Sequence, residues 1–366
     1  MKAIKLSILF IFLINYTFSQ SLISVNEVLI GNKLYYKNAK TYKLINGSYT
    51  ISLSNASGDY TKATFIDGLT DGERIDYDWE GRVLRKATFK LGIIDGERLE
   101  YHQNGELMAK SIFKMGKAVD TWYTYDRDGN VKSTEHYKNN KKEGKWVTKG
   151  STSGGYSNIT TKYYKNDIPT GHWEERTEDE KIIWSKDYQS EGTYTHKEYY
   201  SNGKLREEYT RKNYKRHGHH KKFSKGGILK IDVLFDQDKT ISEKRFSKSG
   251  KPIEIINYKN GKEHGAYELY DQDGNKRHIG IYENGYKVGV WKYYEFGGHL
   301  SKETTYRDGE MNGLCSFYNQ EKKISKQGKF VHNKKDGVWK YYDLSGKLIR
   351  EIKYDIGKQI SNKQFN

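Results

Sequence analysis

The chain has 366 residues, of which only 35% are hydrophobic and 32 are tyrosine, and its formal charge is +17. With a mean hydropathy of −0.95 and 30% charged residues, a thick aliphatic core is excluded. Disorder is excluded too, because 14% aromatic residues is too rich for a disordered chain, and abundant Tyr with 36 Gly and only 2 Pro suits thin β-structure.

Residues 1–20, MKAIKLSILFIFLINYTFSQ, begin with Lys2 and Lys5, continue in an apolar run from Leu6 to Ile14, and leave through a polar exit. That is the layout of a secretory signal peptide, with an uncleaved N-terminal anchor as the alternative. The expectation is export, to the periplasm, the outer envelope or the medium. Loss of Lys2 and Lys5 leaves a formal charge of about +15. The single cysteine, Cys315, rules out internal disulfides, so stability must come from packing. Residues 21–45 read as an N-terminal capping strand region.

From residue 46 to 358 the chain repeats itself. The hexapeptide GVWKYY occurs at 289–294 and again at 337–342. Its glycine belongs to a series of anchors at 47, 72, 96, 144, 171, 192, 218, 265, 289, 313 and 337, with Asp120 and Ile241 standing in at two places. The mean step is about 24 residues, which gives 12–13 units. Two further ladders keep the same step. One holds Phe65, Phe89, Phe113 and Tyr137, then Tyr258, Tyr282, Tyr306, Phe330 and Tyr354; the other holds Tyr77, Tyr101 and Tyr125, then Tyr270, Tyr294, Tyr318 and Tyr342.

Each unit reads as a β-hairpin. Asn260-Gly261, Asn284-Gly285, Asp308-Gly309 and Asp67-Gly68 are tight-turn pairs, and internal turns carry Gly81, Gly105, Gly129, Gly203, Gly250, Gly274 and Gly346. Strand alternation places Trp122, Trp146, Trp291 and Trp339, with Tyr267, in a column on one face, and the series from Tyr77 to Tyr342 on the other. The predicted fold is all-β: an elongated array of antiparallel hairpins forming one long twisted sheet.

Between 144 and 243 the anchor steps slip to 27, 21, 26 and 23, and the tryptophan column lapses after Trp173 and Tyr194. Here lies the densest basic stretch, with Arg211, Lys212, Tyr214, Lys215, Arg216, His217, His219, His220, Lys221 and Lys222. A histidine cluster suggests a transition metal. Yet the segment reads as an anchor turn flanked by cations, with no carboxylate nearby, so no metal site is assigned. The stretch is the candidate patch for an anion or a partner, against the plainer reading of a solvated hairpin end. Residues 359–366 read as a C-terminal tail.

The motif Tyr-x-Asn-Gly-x-x-x-Gly-x-Trp-x-x-Tyr with a later Gly-x-Leu, best seen at 282–300 and 330–348, resembles the MORN repeat in its bacterial variant form. The resemblance covers about residues 46–358. It implies an antiparallel sheet used for protein interaction, dimerisation or lipid association, with no catalytic residues to transfer. Bacterial proteins of this type are often named as YwqK-like antitoxin components.

No serine elbow, zinc-protease helix, phosphate loop or dinucleotide fingerprint occurs, and Cys315 takes the repeat position that Trp fills elsewhere. The expectation is therefore a non-enzymatic scaffold without cofactor, binding a protein partner through an aromatic and basic sheet surface. The alternatives are an envelope-associated module for anionic lipid or glycan, and an antitoxin- or immunity-like protein. Export argues against a physiological nucleic-acid partner.

Overall fold

The computed structural model describes residues 22–30, 33–52, 58–151 and 157–365; the expected signal peptide lies outside them. The helical and strand elements among these residues are all strands. The chain divides into two compact units, Met1–Thr148 with Lys165–Asp167, and Lys149–Tyr164 with Ile168–Asn366. In both, the chain forms the expected all-β array of antiparallel hairpins.

The first unit opens with strand Leu22–Ile30, which pairs antiparallel with Lys33–Asn38 and parallel with Gly47–Ser52. Tyr36, Ile45, Ile51, Ala63 and Phe65 are buried together there, with Ile23, Val25, Leu34 and Tyr49 around them. Among the described residues this is the one aliphatic-rich cluster, and it covers the end of an otherwise thin sheet. From Gly47–Ser52 to Val131–Lys138 each strand pairs with the next, as Tyr60–Ile66 does with Leu69–Tyr77 and Val83–Lys90 with Ile93–Tyr101.

The second unit repeats the scheme, for example through Tyr286–Tyr294, Leu300–Arg307, Glu310–Tyr318, Ile324–Val331, Lys334–Tyr342 and Leu348–Asp355. Residues 359–364, set apart above as a tail, belong to strand Lys358–Gln364, which pairs with Leu348–Asp355.

Two kinds of turn alternate. Units are joined by two-residue turns such as Asn284-Gly285, with φ of 51° and 90°. Positive φ at both positions gives the turn a twist that matches the strands it joins. Inside a unit a five-residue turn is closed by its first side chain. Asp271 Oδ1 accepts from the backbone N–H of Asp273 at 3.0 Å and of Asn275 at 2.8 Å. Asp78 and Asp126 repeat this arrangement. These carboxylates therefore serve the turns.

The anchor marks a β-bulge. Ile279 pairs with Lys292 and Ile281 with Val288, so residues 289–291 stand against Gly280 alone. Asp120, which replaces the anchor glycine in its unit, keeps a φ of 61°.

Candidate partner-binding surfaces

The bulge positions the tryptophans. A register row runs Ile256, Tyr267, Gly280 and, beyond the bulge, Trp291, Thr304, Cys315, Gly328, Trp339 and Ile352. Trp291, Cys315 and Trp339 are fully buried in it. A Cβ at Gly280 or Gly328 would stand 2.2 Å or 2.3 Å from the indole of Trp291 or Trp339, so each glycine is the socket for a ring. Each indole N–H donates to the carbonyl ten residues earlier: Trp122 to Ile112, Trp146 to His136, Trp291 to Ile281 and Trp339 to Lys329, all at 3.1 Å. Bulge and ring are thus one device, which explains why glycine and tryptophan recur together.

The ladder containing Tyr258, Tyr282, Tyr306 and Tyr354 shares this face. Tyr282 meets Trp291 edge-on at 5.0 Å, Tyr306 does so at 6.1 Å, and Phe330 meets Trp339 at 5.1 Å. The opposite face carries charge, with Lys292 paired to Glu303 at 2.9 Å and the Tyr318 hydroxyl donating to the same carboxylate.

Lysines overlie the rings. Lys287 Nζ is 4.1 Å from the Trp291 ring centroid and 5.4 Å from that of Tyr306. Lys302 lies 4.8 Å over Tyr293, Lys326 4.2 Å over Phe317, and Lys335 4.7 Å over Trp339 and 4.9 Å over Tyr354. Ion pairs in this part of the chain belong to other groups: Lys292–Glu303, Lys323–Glu321 and His332–Glu310. Among the described residues none of the four lysines has a carboxylate within ion-pair distance. Burial, and then the neighbouring Lys302, lower the Lys287 ammonium pKa, partly offset by Glu263. These cations are held by ring faces and, among the described residues, form no ion pair.

In the first repeats, before Trp122, the tryptophan position is filled differently. Arg74 and Arg98 occupy the row between Ala63, Ala87 and Ser111. Arg74 Nε donates to Asp76 at 2.8 Å, and its NH1 donates to the Tyr36 hydroxyl at 2.7 Å. Asp76 also accepts from Thr61 at 2.7 Å and Arg85 at 2.9 Å. Burial alone would raise the Asp76 carboxyl, but these donors hold it below its usual 3.8.

The central repeats turn the row polar. It runs Trp173, Lys186, His196, Tyr209, His220, Val233, Glu243 and Ile256. His196, and not the expected Tyr194, fills the row, because Ser190 pairs with Thr193 and Gly192 therefore lies in the two-residue turn instead of at a bulge. His196 is buried, its ring 4.8 Å from Tyr209, and Tyr209 is 5.4 Å from His220.

The basic stretch at 211–222 differs from its reading as an open turn. Its two-residue turn is Asn213-Tyr214, and Lys215–Phe223 is a strand. Neighbouring strands supply the carboxylates that local sequence lacks. Arg216 meets Asp238 at 3.3 Å, His217 meets Asp236 at 3.3 Å, and His219 meets Asp232 at 2.8 Å. His220 and Lys222 share Glu207, at 2.5 Å and 3.5 Å. The Tyr214 hydroxyl donates to Glu191 at 3.0 Å, and Arg211 donates to the Tyr214 carbonyl. Alternation sends His219 and His220 to opposite faces. No group of His, Cys, Asp or Glu among the described residues has metal-binding geometry. Among the described residues Lys212, Lys215 and Lys221 have no carboxylate within ion-pair distance.

A cleft of about 770 Å³ lies in the same region, lined by Ile182, Ile183, Tyr199 and Tyr200 with Glu178 and Asp179 at the turn. Sequence reasoning pointed to the slipped repeats but not to these residues. Their one visible signal is a run of five carboxylates in 174–180 of a strongly basic chain.

The family profile described as "MORN repeat variant" matches residues 94–115, 121–139, 195–213, 239–260 and 335–355, together under a third of the chain. The chain is similar to MORN-repeat proteins in these stretches, one of which contains the second GVWKYY. No curated protein matches the chain.

Proposed function

We propose that the chain is an exported, non-enzymatic repeat scaffold that binds a protein partner along the aromatic and lysine face of residues 286–342. One observation carries this reading: Lys287, Lys302, Lys326 and Lys335 lie over buried or half-buried rings with no carboxylate partner among the described residues. Rings give a preorganised apolar platform, and unneutralised cations give a charge preference, so the fitting partner surface is acidic. In 211–222 Arg216, His220 and Lys222 have counter-ions, and what favours the 286–342 face is that its unpaired lysines are seated over rings. Export rests on residues 1–20.

The test is recovery of partners from envelope extracts on immobilised protein, with mass spectrometry. A single protein retained by the wild type and lost when the four lysines become Gln is the expected result. Retention unchanged by those substitutions would overturn the assignment of the face.

The same lysines support a second reading, attachment to anionic lipid or glycan. Sedimentation with phosphatidylglycerol vesicles separates the two, because a purely electrostatic surface attachment disappears by about 0.5 M salt. An antitoxin- or immunity-like role rests on the resemblance alone; rescue of a toxin-expressing host by this chain is its test.

A further inference from the structure

The cleft at residues 177–201 is of another chemical kind from the lysine face. It lies between the five-residue turns Thr177–Lys181 and Tyr200–Lys204, each closed by its own backbone bonds. Some neighbouring turns on this edge are tied together: Asn202 donates to the Lys225 carbonyl at 2.9 Å, Lys204 to that of Gly226 at 2.7 Å, and Lys251 to that of Asp273 at 2.6 Å. Among the described residues no hydrogen bond ties the turn at 177–181 to the one at 200–204. The gap opens where the anchor step shortens to 21, between Gly171 and Gly192.

Its volume of about 770 Å³ lies within the range of roughly 300–1,000 Å³ usual for ligand clefts. Two isoleucines and two tyrosines line it. The adjoining turn holds Glu178, Asp179 and Glu180 against Lys181. Lys181 is taken by Asp179 at 2.6 Å, and Glu180 is left only a 3.8 Å approach to Arg176. Glu178 has no ion pair among the described residues. An apolar cleft with spare carboxylates, in a chain of charge +17, selects an occupant that pairs an aromatic or aliphatic group with a cation.

We propose that this cleft docks a partner protein's apolar side chain flanked by arginine or lysine. The site is independent of the lysine face and has the opposite charge preference, so one can fail while the other stands. The anchor ring is taken up between the isoleucines and tyrosines, and the flanking cation lies against Glu178 at the rim, with Glu180 on the same turn outside the lining.

The experiment uses full-length protein with labelled isoleucine methyls and three blocked peptides, Arg-Phe-Arg, Arg-Gly-Arg and Glu-Phe-Glu. The expected result is a saturable shift of the Ile182 and Ile183 methyl signals with Arg-Phe-Arg, and roughly tenfold weaker binding of the other two. Exposed substitutions Glu178→Lys with Glu180→Lys weaken Arg-Phe-Arg roughly fivefold while the melting curve is retained. The peptide series stands as evidence even if that variant misfolds. Silent isoleucine methyls, equal binding of Glu-Phe-Glu, or shifts that track protein concentration without peptide would each overturn the proposal. The last result would assign the cleft to a second copy of the chain.

Discussion

Trp291 occupies the space a side chain at Gly280 would need: a Cβ built there falls 2.2 Å from two of its ring atoms. Because Gly280 does not have a left-handed φ, the cost of Gly280→Ala is crowding alone. We expect a loss of about 1–3 kcal/mol in urea unfolding. In a Trp291→Cys background, which imitates Cys315 in the next unit, the same change should cost almost nothing. Equal costs in both backgrounds would show that ring and socket are not coupled.

Trp291 contributes burial and a hydrogen bond, and two substitutions separate them. Trp291→Ala should cost about 3–5 kcal/mol, the usual range for a buried large ring. Trp291→Phe keeps much of the ring but leaves the Ile281 carbonyl without its 3.1 Å donor, for an expected loss of about 1–3 kcal/mol. A phenylalanine variant as stable as wild type would mean that the indole N–H contributes nothing.

In the repeat around Arg74 an ion pair replaces the ring. Asp76 is 5% exposed and joins Arg74, Arg85 and Thr61. Removing it strands the Arg74 guanidinium, so Asp76→Ala should destabilise by about 3–5 kcal/mol. The check is the melting of a fragment-independent probe in the full chain, such as amide exchange at Tyr36 and Ala63. Exchange unchanged from wild type would contradict the pairing.

Acid should loosen the central repeats before the rest. Burial, with Lys186 adding to it, holds His196 below the ordinary imidazole value of 6.5, and burial with Lys287 and Arg277 does the same to His278. A depressed histidine is neutral in the fold but takes up a proton in the unfolded chain. Its contribution is therefore complete above 6.5 and falls as pH drops through that value. His172, raised by its bond to Asp187, acts in the opposite sense, but it is exposed. Between about pH 7.5 and 5.5 the wild type should lose stability, and His196→Phe should lose less. Identical pH profiles would remove His196 from this role.

The period was legible because identical rings recur at equal steps, and the hairpins followed from turn pairs such as Asn284-Gly285. The sockets were hidden because Gly280, Thr304, Gly328 and Ile352 share a place in the row and not an identity. The filling of the tryptophan position by Arg74, and of the central row by His196, required the register itself. The stretch at 211–222 looked unneutralised because its carboxylates, Glu207, Asp232, Asp236 and Asp238, come from adjoining strands and turns. The lysine face was passed over for the converse reason, since its four cations are spread over residues 287–335 and no local run of charge marks them.

A charge-matched comparison tests the binding face most directly. One variant changes Lys287, Lys302, Lys326 and Lys335 to Gln; the other changes Lys212, Lys215, Lys221 and Lys222 to Gln, so both lose four positive charges. Binding of polyglutamate to each is measured by titration calorimetry at about 0.15 M salt, after circular dichroism confirms folding. The account predicts roughly tenfold weaker binding for the first variant and little change for the second. Equal weakening of both would make the effect one of net charge, and greater weakening of the second would return the site to residues 211–222.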